Sequence, residues 1–130
     1  MLKNIAAAKQ LVAEYKEIIE CETEVGYHQT QQVAKAKRGD NAIRRTHTHG
    51  YMNEKTGFGA METCKLCVAV GTDCMRCVWW LHKKEVMACL TTDYSQIVDG
   101  ELSLTALKRV LTKRVQHLET LIERAENEQR

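Results

Sequence analysis

Two Cys-x2-Cys pairs, Cys64-Lys65-Leu66-Cys67 and Cys74-Met75-Arg76-Cys77, stand only six residues apart. No other feature of the chain restricts its folding as strongly. A Cys-x2-Cys segment can aim both sulfurs at one ion, and two such segments complete the tetrahedral thiolate set that Zn²⁺ accepts. The spacing therefore predicts a metal centre ligated by Cys64, Cys67, Cys74 and Cys77, inside a module spanning 61–90. Zinc is the expected ion, and an iron–sulfur cluster, which uses the same ligand type, is the alternative. A zinc ion closed by four thiolates keeps no open position for a substrate, so the expected role is structural. His82 and Cys89 are the nearest additional candidate ligands. Cys89 reads equally well as a small buried hydrophobe in Val86-Met87-Ala88-Cys89-Leu90.

A chain of 130 residues fits one domain, 1–130, small enough for a metal staple to matter. The chain has no proline, which favours long uninterrupted helices. Ile5, Ala8, Val12, Tyr15 and Ile19 recur at steps of three and four, with Leu11 and Ile18 widening the stripe. They predict an amphipathic helix over 2–24 that ends near Gly26 and holds Cys21 at the core or its boundary. Residues 27–60 are polar and read as irregular, with a short helix around 30–37. Val78-Trp79-Trp80-Leu81 reads as a turn packed on the core. Ser103 is a good N-cap, and Leu102 and Leu107 are placed for a hydrophobic staple. From there Leu104, Leu107, Leu111, Val115, Leu118, Ile122 and Ala125 predict a helix over 103–126.

The charges on the two long helices predict how they meet. The C-terminal helix is basic first (Lys108, Arg109, Lys113, Arg114) and acidic later (Glu119, Glu123, Glu126, Glu128), against the preference of its own dipole. The N-terminal helix is acidic in its second half, at Glu14, Glu17, Glu20, Glu22 and Glu24. Antiparallel packing sets that acidic end beside the basic one. The expected fold is mainly α: an antiparallel pair of long helices joined by an irregular segment and a small four-cysteine zinc module. An antiparallel homodimer of the C-terminal helix satisfies the same charge pattern.

With 19 basic and 17 acidic residues, the formal charge of +2 gives no global field for nucleic acid or an anionic membrane. No run approaches the ~20 apolar residues of a membrane span. Lys9, Glu14 and Lys16 interrupt the opening residues, so no secretory core is read there. A cytoplasmic location is expected, where reducing conditions favour metal ligation over disulfides. Lys35, Lys37, Arg38, Arg44 and Arg45 form a short basic cluster that could contact phosphates. His47 and His49 alternate, which on an extended strand would put both rings on one face toward a second metal or a phosphate; a solvated loop is the favoured reading. The chain shows no nucleophile elbow, phosphate-cradling glycine loop or H-E-x-x-H, so no catalytic residue is assigned.

Cys64-Lys65-Leu66-Cys67, Cys74-Met75-Arg76-Cys77, the Trp79-Trp80 pair, Cys89, Tyr94 and the following amphipathic helix together resemble a loose group of small phage and prophage proteins. These carry C-x-L-C, C-x2-C, a further cysteine and then a tyrosine. The likeness covers about residues 64–122, and Val78 stands where the group usually has proline. The resemblance implies a mobile-element origin, a metal-held core and a stronger claim for Cys89 as a ligand or a thiol beside the ligands. It implies no activity. The expected function is a non-enzymatic, zinc-stabilised protein that binds a host or phage macromolecule, foremost a protein, as inhibitor or adaptor in the host cytoplasm. Segment 27–60 would be the contact surface. Nucleic-acid binding through 35–45 is the alternative, and a nuclease-type metalloenzyme using His47 and His49 the second alternative.

Overall fold

The computed structural model describes residues 4–27, 47–58, 64–71, 73–79, 96–97 and 102–128, without the side chains of His47, Cys74 and Glu128. The described residues are mainly helical and include no strand. Helix α1 spans Ile5–Cys21, α2 His47–Thr56, α3 Lys65–Ala69, and α4 Leu104–Glu128, with a 3₁₀ turn over Cys74–Arg76 between α3 and α4. Among the described residues no helix is long and apolar enough to cross a membrane.

The three-and-four spacing of apolar residues builds the core directly. Ala8, Leu11, Val12, Tyr15 and Ile18 of α1 are buried. So are Leu104, Leu107, Val110, Leu111, Val115, Leu118, Leu121, Ile122 and Ala125 of α4. Each fully buried leucine contributes roughly 1.5–3 kcal/mol, so this seam outweighs any single surface interaction. At the start of α4, Ser103 caps as the sequence predicts, its Oγ accepting the Ala106 N–H at 3.2 Å. At 25 residues α4 extends about 37 Å, and its apolar stripe lies in the same core cluster as that of α1.

Contacts at both ends set the helix direction. Lys9 pairs with Glu126 at 3.1 Å and Lys16 with Glu119 at 3.4 Å, while Lys108 Nζ donates to the Glu22 carbonyl at 3.0 Å. The two helices therefore run antiparallel. The pairs are not the ones the charge pattern suggests, however. The acidic second half of α4 meets Lys9 and Lys16 of α1. Lys108 satisfies a carbonyl at the C-terminal end of α1, where a cation is favoured by the dipole. Glu14 and Glu22, assigned by the charge pattern to α4, instead reach Lys65 of α3 and Lys55 of α2. Both helix-to-helix ion pairs are well exposed, so each is worth no more than about 1 kcal/mol. They select orientation more than they hold it.

Three sequence-based boundaries shift. Helix α1 stops at Cys21 because Glu22 is extended (φ −73°, ψ 140°). Residues 24–27 then form a further helical turn that contains Gly26, with the Gly26 N–H on Thr23 Oγ1 at 3.1 Å. Gly26 is therefore not a terminator; a Cβ there would collide with the Glu22 carboxylate. Cys21 is exposed, not at the core. Residues 47–56, expected to be irregular, are helix α2, while the short helix suggested over 30–37 lies outside the described residues.

Helix α2 was hard to foresee because its apolar residues are few. It is fixed instead by a polar ring. Tyr27 donates its hydroxyl to the Leu102 carbonyl at 2.8 Å, Thr48 Oγ1 lies 3.0 Å from Tyr27 Oη, and the Leu102 N–H donates to Thr48 Oγ1 at 2.8 Å. Thr48 therefore donates to Tyr27, and every proton in the ring has an acceptor, as a buried polar network requires. Tyr51 adds an edge-on contact with Tyr27, centroids 4.8 Å apart, and donates to Glu22 Oε2 at 2.5 Å. Burial and the Glu22 carboxylate both push the Tyr51 phenol upward, keeping it protonated.

Candidate metal centre

The first Cys-x2-Cys pair forms the entry to α3, with Cys64 as its N-terminal boundary residue. This geometry prepares the Cys64 sulfur for ligation. The Cys67 thiol hydrogen-bonds to it, burial opposes ionisation, and the backbone N–H groups of Cys67 and Leu66, with the charge of Arg114, favour it again. The net result lowers the Cys64 thiol from 9.0 to about 6. These contacts favour the charged form of the sulfur, the form in which a cysteine binds metal. Leu66 and Val70 turn inward and anchor this knuckle to the core.

The second pair spans the 3₁₀ turn. Cys74 begins it, and Cys77 follows it as a buried residue. Asp73 Oδ1 accepts the Met75 N–H at 3.2 Å and holds the turn closed. Val78 and Trp79 are buried, as expected for a segment packed on the core; Trp80 and Leu81 lie outside the described residues.

Asn4 joins the two knuckles. It occupies the N-cap position of α1 but makes no side-chain cap hydrogen bond. Its Nδ2 donates to Cys77 Sγ at 3.1 Å and to the Leu66 carbonyl at 3.3 Å, while Oδ1 accepts the Val78 N–H at 2.8 Å. One fully buried amide thus ties the start of α1 to both knuckles. Lys65 adds a second tether through its 2.5 Å ion pair with Glu14 of α1.

Beneath the module lies Arg114 of α4, only 4 % exposed. Its guanidinium sits over the rings of Phe58 and Trp79, each 5.1 Å from the ring centroid, and Nε donates to the Tyr15 hydroxyl at 3.3 Å. Burying a cation costs several kcal/mol, and each desolvated ring face returns about 2 or more. His117, one turn further along α4, meets the Trp79 ring edge-on at 5.2 Å.

The structure brings together Cys64 and Cys67, and couples Cys77 to them through Asn4. Among the described residues, no group of three or more His, Cys, Asp or Glu side chains converges as a metal set; the Cys74 side chain is outside them, as are His82 and Cys89. Lys35, Lys37, Arg38, Arg44 and Arg45 also lie outside the described residues. The expectation for His47 and His49 is corrected. Both belong to α2 and not to an extended strand, so the alternation that would set two rings on one face does not apply. His49 is 2 % exposed and stacks edge-on against Phe58. It is a core histidine.

Sequence reading missed Asn4 and Arg114. A signal existed for Arg114, because Leu107, Leu111, Arg114 and Leu118 continue the three-and-four stripe through it. Asn4 gave none beyond an ordinary N-cap.

Replacing Asn4 by Ala should cost about 2–4 kcal/mol in urea unfolding, since it leaves the buried Val78 N–H without an acceptor. Asn4→Asp keeps that acceptor but sets a carboxylate oxygen against the Cys77 sulfur. The carboxylate disfavours the thiolate, the reactive form, so its thiols should react more slowly with an alkylating reagent than those of Asn4→Ala. Wild-type stability and thiol reactivity in Asn4→Asp would remove Asn4 from this role. No family model, curated protein or solved structure matches this chain.

Proposed function

We propose that the chain is a non-enzymatic helical protein clasped by one structural zinc ion on Cys64, Cys67, Cys74 and Cys77, and that it acts by binding another protein, of host or phage origin. The observation that carries the reading is that Asn4 holds both Cys-x2-Cys segments on the same end of α1. Four thiolates around zinc leave no position for substrate, which makes the centre a clasp and places function on the surfaces it organises. Two large apolar side chains point outward here, Val68 directly after the first knuckle at 60 % exposure and Met75 within the second at 59 %. These are candidate contacts for a protein partner. A reducing cytoplasm is the compartment in which such thiols stay available to metal.

The test has two parts. Protein purified under reducing conditions should carry one zinc per chain, with four thiols that resist alkylation until a chelator is added. Metal-free protein with six equally reactive thiols rejects the clasp. In the second part, host-lysate capture by wild-type protein is compared with capture by Val68→Glu/Met75→Glu, after metal retention has been checked. A protein captured by the wild type and lost from the variant supports the interaction reading. Capture abolished by nuclease would instead favour nucleic-acid binding through 35–45.

A further inference from the structure

We infer that the solvent-facing side of α4 pairs with the same side of a second copy of this chain, antiparallel and centred on Gln116. The apolar seam of α4 is committed to the core it shares with α1, so a second copy meets the opposite face. Arg109, Lys113, Gln116, Glu119 and Glu123 make up that face, and all five are exposed. At about 100° per residue they fall within about 60° of Gln116 around the helix. Thr112 and Thr120, the other exposed residues between Arg109 and Glu123, turn their hydroxyls to carbonyls of their own helix.

The face is complementary to itself. Arg109 and Glu123 lie seven residues on either side of Gln116, and Lys113 and Glu119 three on either side. A twofold axis at Gln116 therefore sets Arg109 of one copy opposite Glu123 of the other and brings Lys113 level with Glu119. Each patch then meets its complement twice, as an isologous interface requires. Within one chain the same charges are poorly matched. Arg109 and Lys113 are like charges four residues apart, as are Glu119 and Glu123, a spacing that destabilises a helix. The ion pairs among the described residues include none of Arg109, Lys113 and Glu123; Glu119 is matched by Lys16. Two acidic residues of α1 that the charge pattern offers to the basic half of α4 go elsewhere, Glu14 to Lys65 and Glu22 to Lys55. An antiparallel second copy also brings that basic half beside the negative end of the facing helix, which offsets a charge order opposed to α4's own dipole. Arg124, about 80° from Gln116, stands at the rim. With no large apolar side chain on this face, charge holds the pairing, which is therefore weak and sensitive to salt.

The test is sedimentation of the full chain over a concentration series in low and high salt. Wild-type protein should show a reversible monomer–dimer equilibrium whose dissociation constant rises at least about tenfold from low to high salt. Arg109→Glu/Lys113→Glu and Glu119→Lys/Glu123→Lys should each lose the dimer alone, because like charges then face each other, and should associate when mixed one to one. Wild-type protein that stays monomeric up to its solubility in low salt overturns the inference and leaves this face to a partner other than a second copy. A dimer that survives either reversal, or reversed variants that fail to associate on mixing, overturns it as well, since another surface would then be at work. Should a double variant lose its helical circular dichroism, the single Arg109→Glu carries the comparison. It sets glutamates face to face at both ends of the interface and should weaken the dimer at least about tenfold; an unchanged constant overturns the inference. Every variant keeps all its cysteines, so metal content reads the zinc clasp separately.

Discussion

Cys77→Ser is expected to abolish stoichiometric metal and to lower the thermal midpoint by more than about 10 °C. Two losses combine at this position. A structural zinc site contributes an apparent binding free energy of about 10–16 kcal/mol, comparable to the ~5–15 kcal/mol that holds a whole domain folded. Losing one thiolate of four therefore removes much of the stabilisation. Cys77 is also buried and accepts the Asn4 N–H, so its replacement disturbs the contact that joins the knuckles to α1. Metal content and a melt followed by tryptophan fluorescence read the two effects separately, since Trp79 lies inside the module. Exposed Cys21 is the control: Cys21→Ser should change stability by no more than about 0.5 kcal/mol. Equal melts and equal metal for Cys77→Ser and wild type would refute the proposed ligation.

Leu111→Ala should destabilise the protein by about 2–5 kcal/mol, the range for a fully buried leucine whose cavity cannot collapse. Leu111 is completely buried in the seam shared by α1 and α4. Removing the ion pairs across the same two helices, in Lys9→Ala/Lys16→Ala, should cost no more than about 1 kcal/mol for each pair, because all four partners are well exposed. Urea unfolding of the three proteins decides which force dominates. A double lysine variant less stable than Leu111→Ala would reverse the ranking argued here.

The long helices were legible because burial follows a period that the sequence displays without interruption. Every residue of the three-and-four series from Leu104 to Ala125 is buried, and Ser103 caps as its side chain suggests. Antiparallel order was also legible from charge, although the pairs were not. Net helix polarity survives a change of partner, whereas the choice between a carboxylate, a carbonyl and a ring face depends on third elements such as α2 and α3. Helix α2 stayed hidden for a related reason. Its anchors, Thr48, His49 and Tyr51, are polar or amphipathic, and their burial depends on Tyr27 and Leu102, far away in sequence. At the candidate metal centre the cysteine spacing named the candidate ligands, but Asn4, which hydrogen-bonds to both Cys-x2-Cys segments, comes from the start of α1, 60 residues before Cys64.

The antiparallel pairing also dictates an order of events during synthesis. Lys16 and Glu119 are 103 residues apart, and Asn4 is 62 to 74 residues from its partners in the knuckles. At about 5–20 residues per second, the interval between emergence of α1 and of its partner is on the order of 5–20 s. Throughout it the apolar face of α1 has no α4 to cover it. For a helical protein this is a topology of distant contacts, so folding should be slower than in bundles whose neighbouring helices are adjacent in sequence. The nascent chain would then depend on something other than its own last helix to keep that face from aggregating.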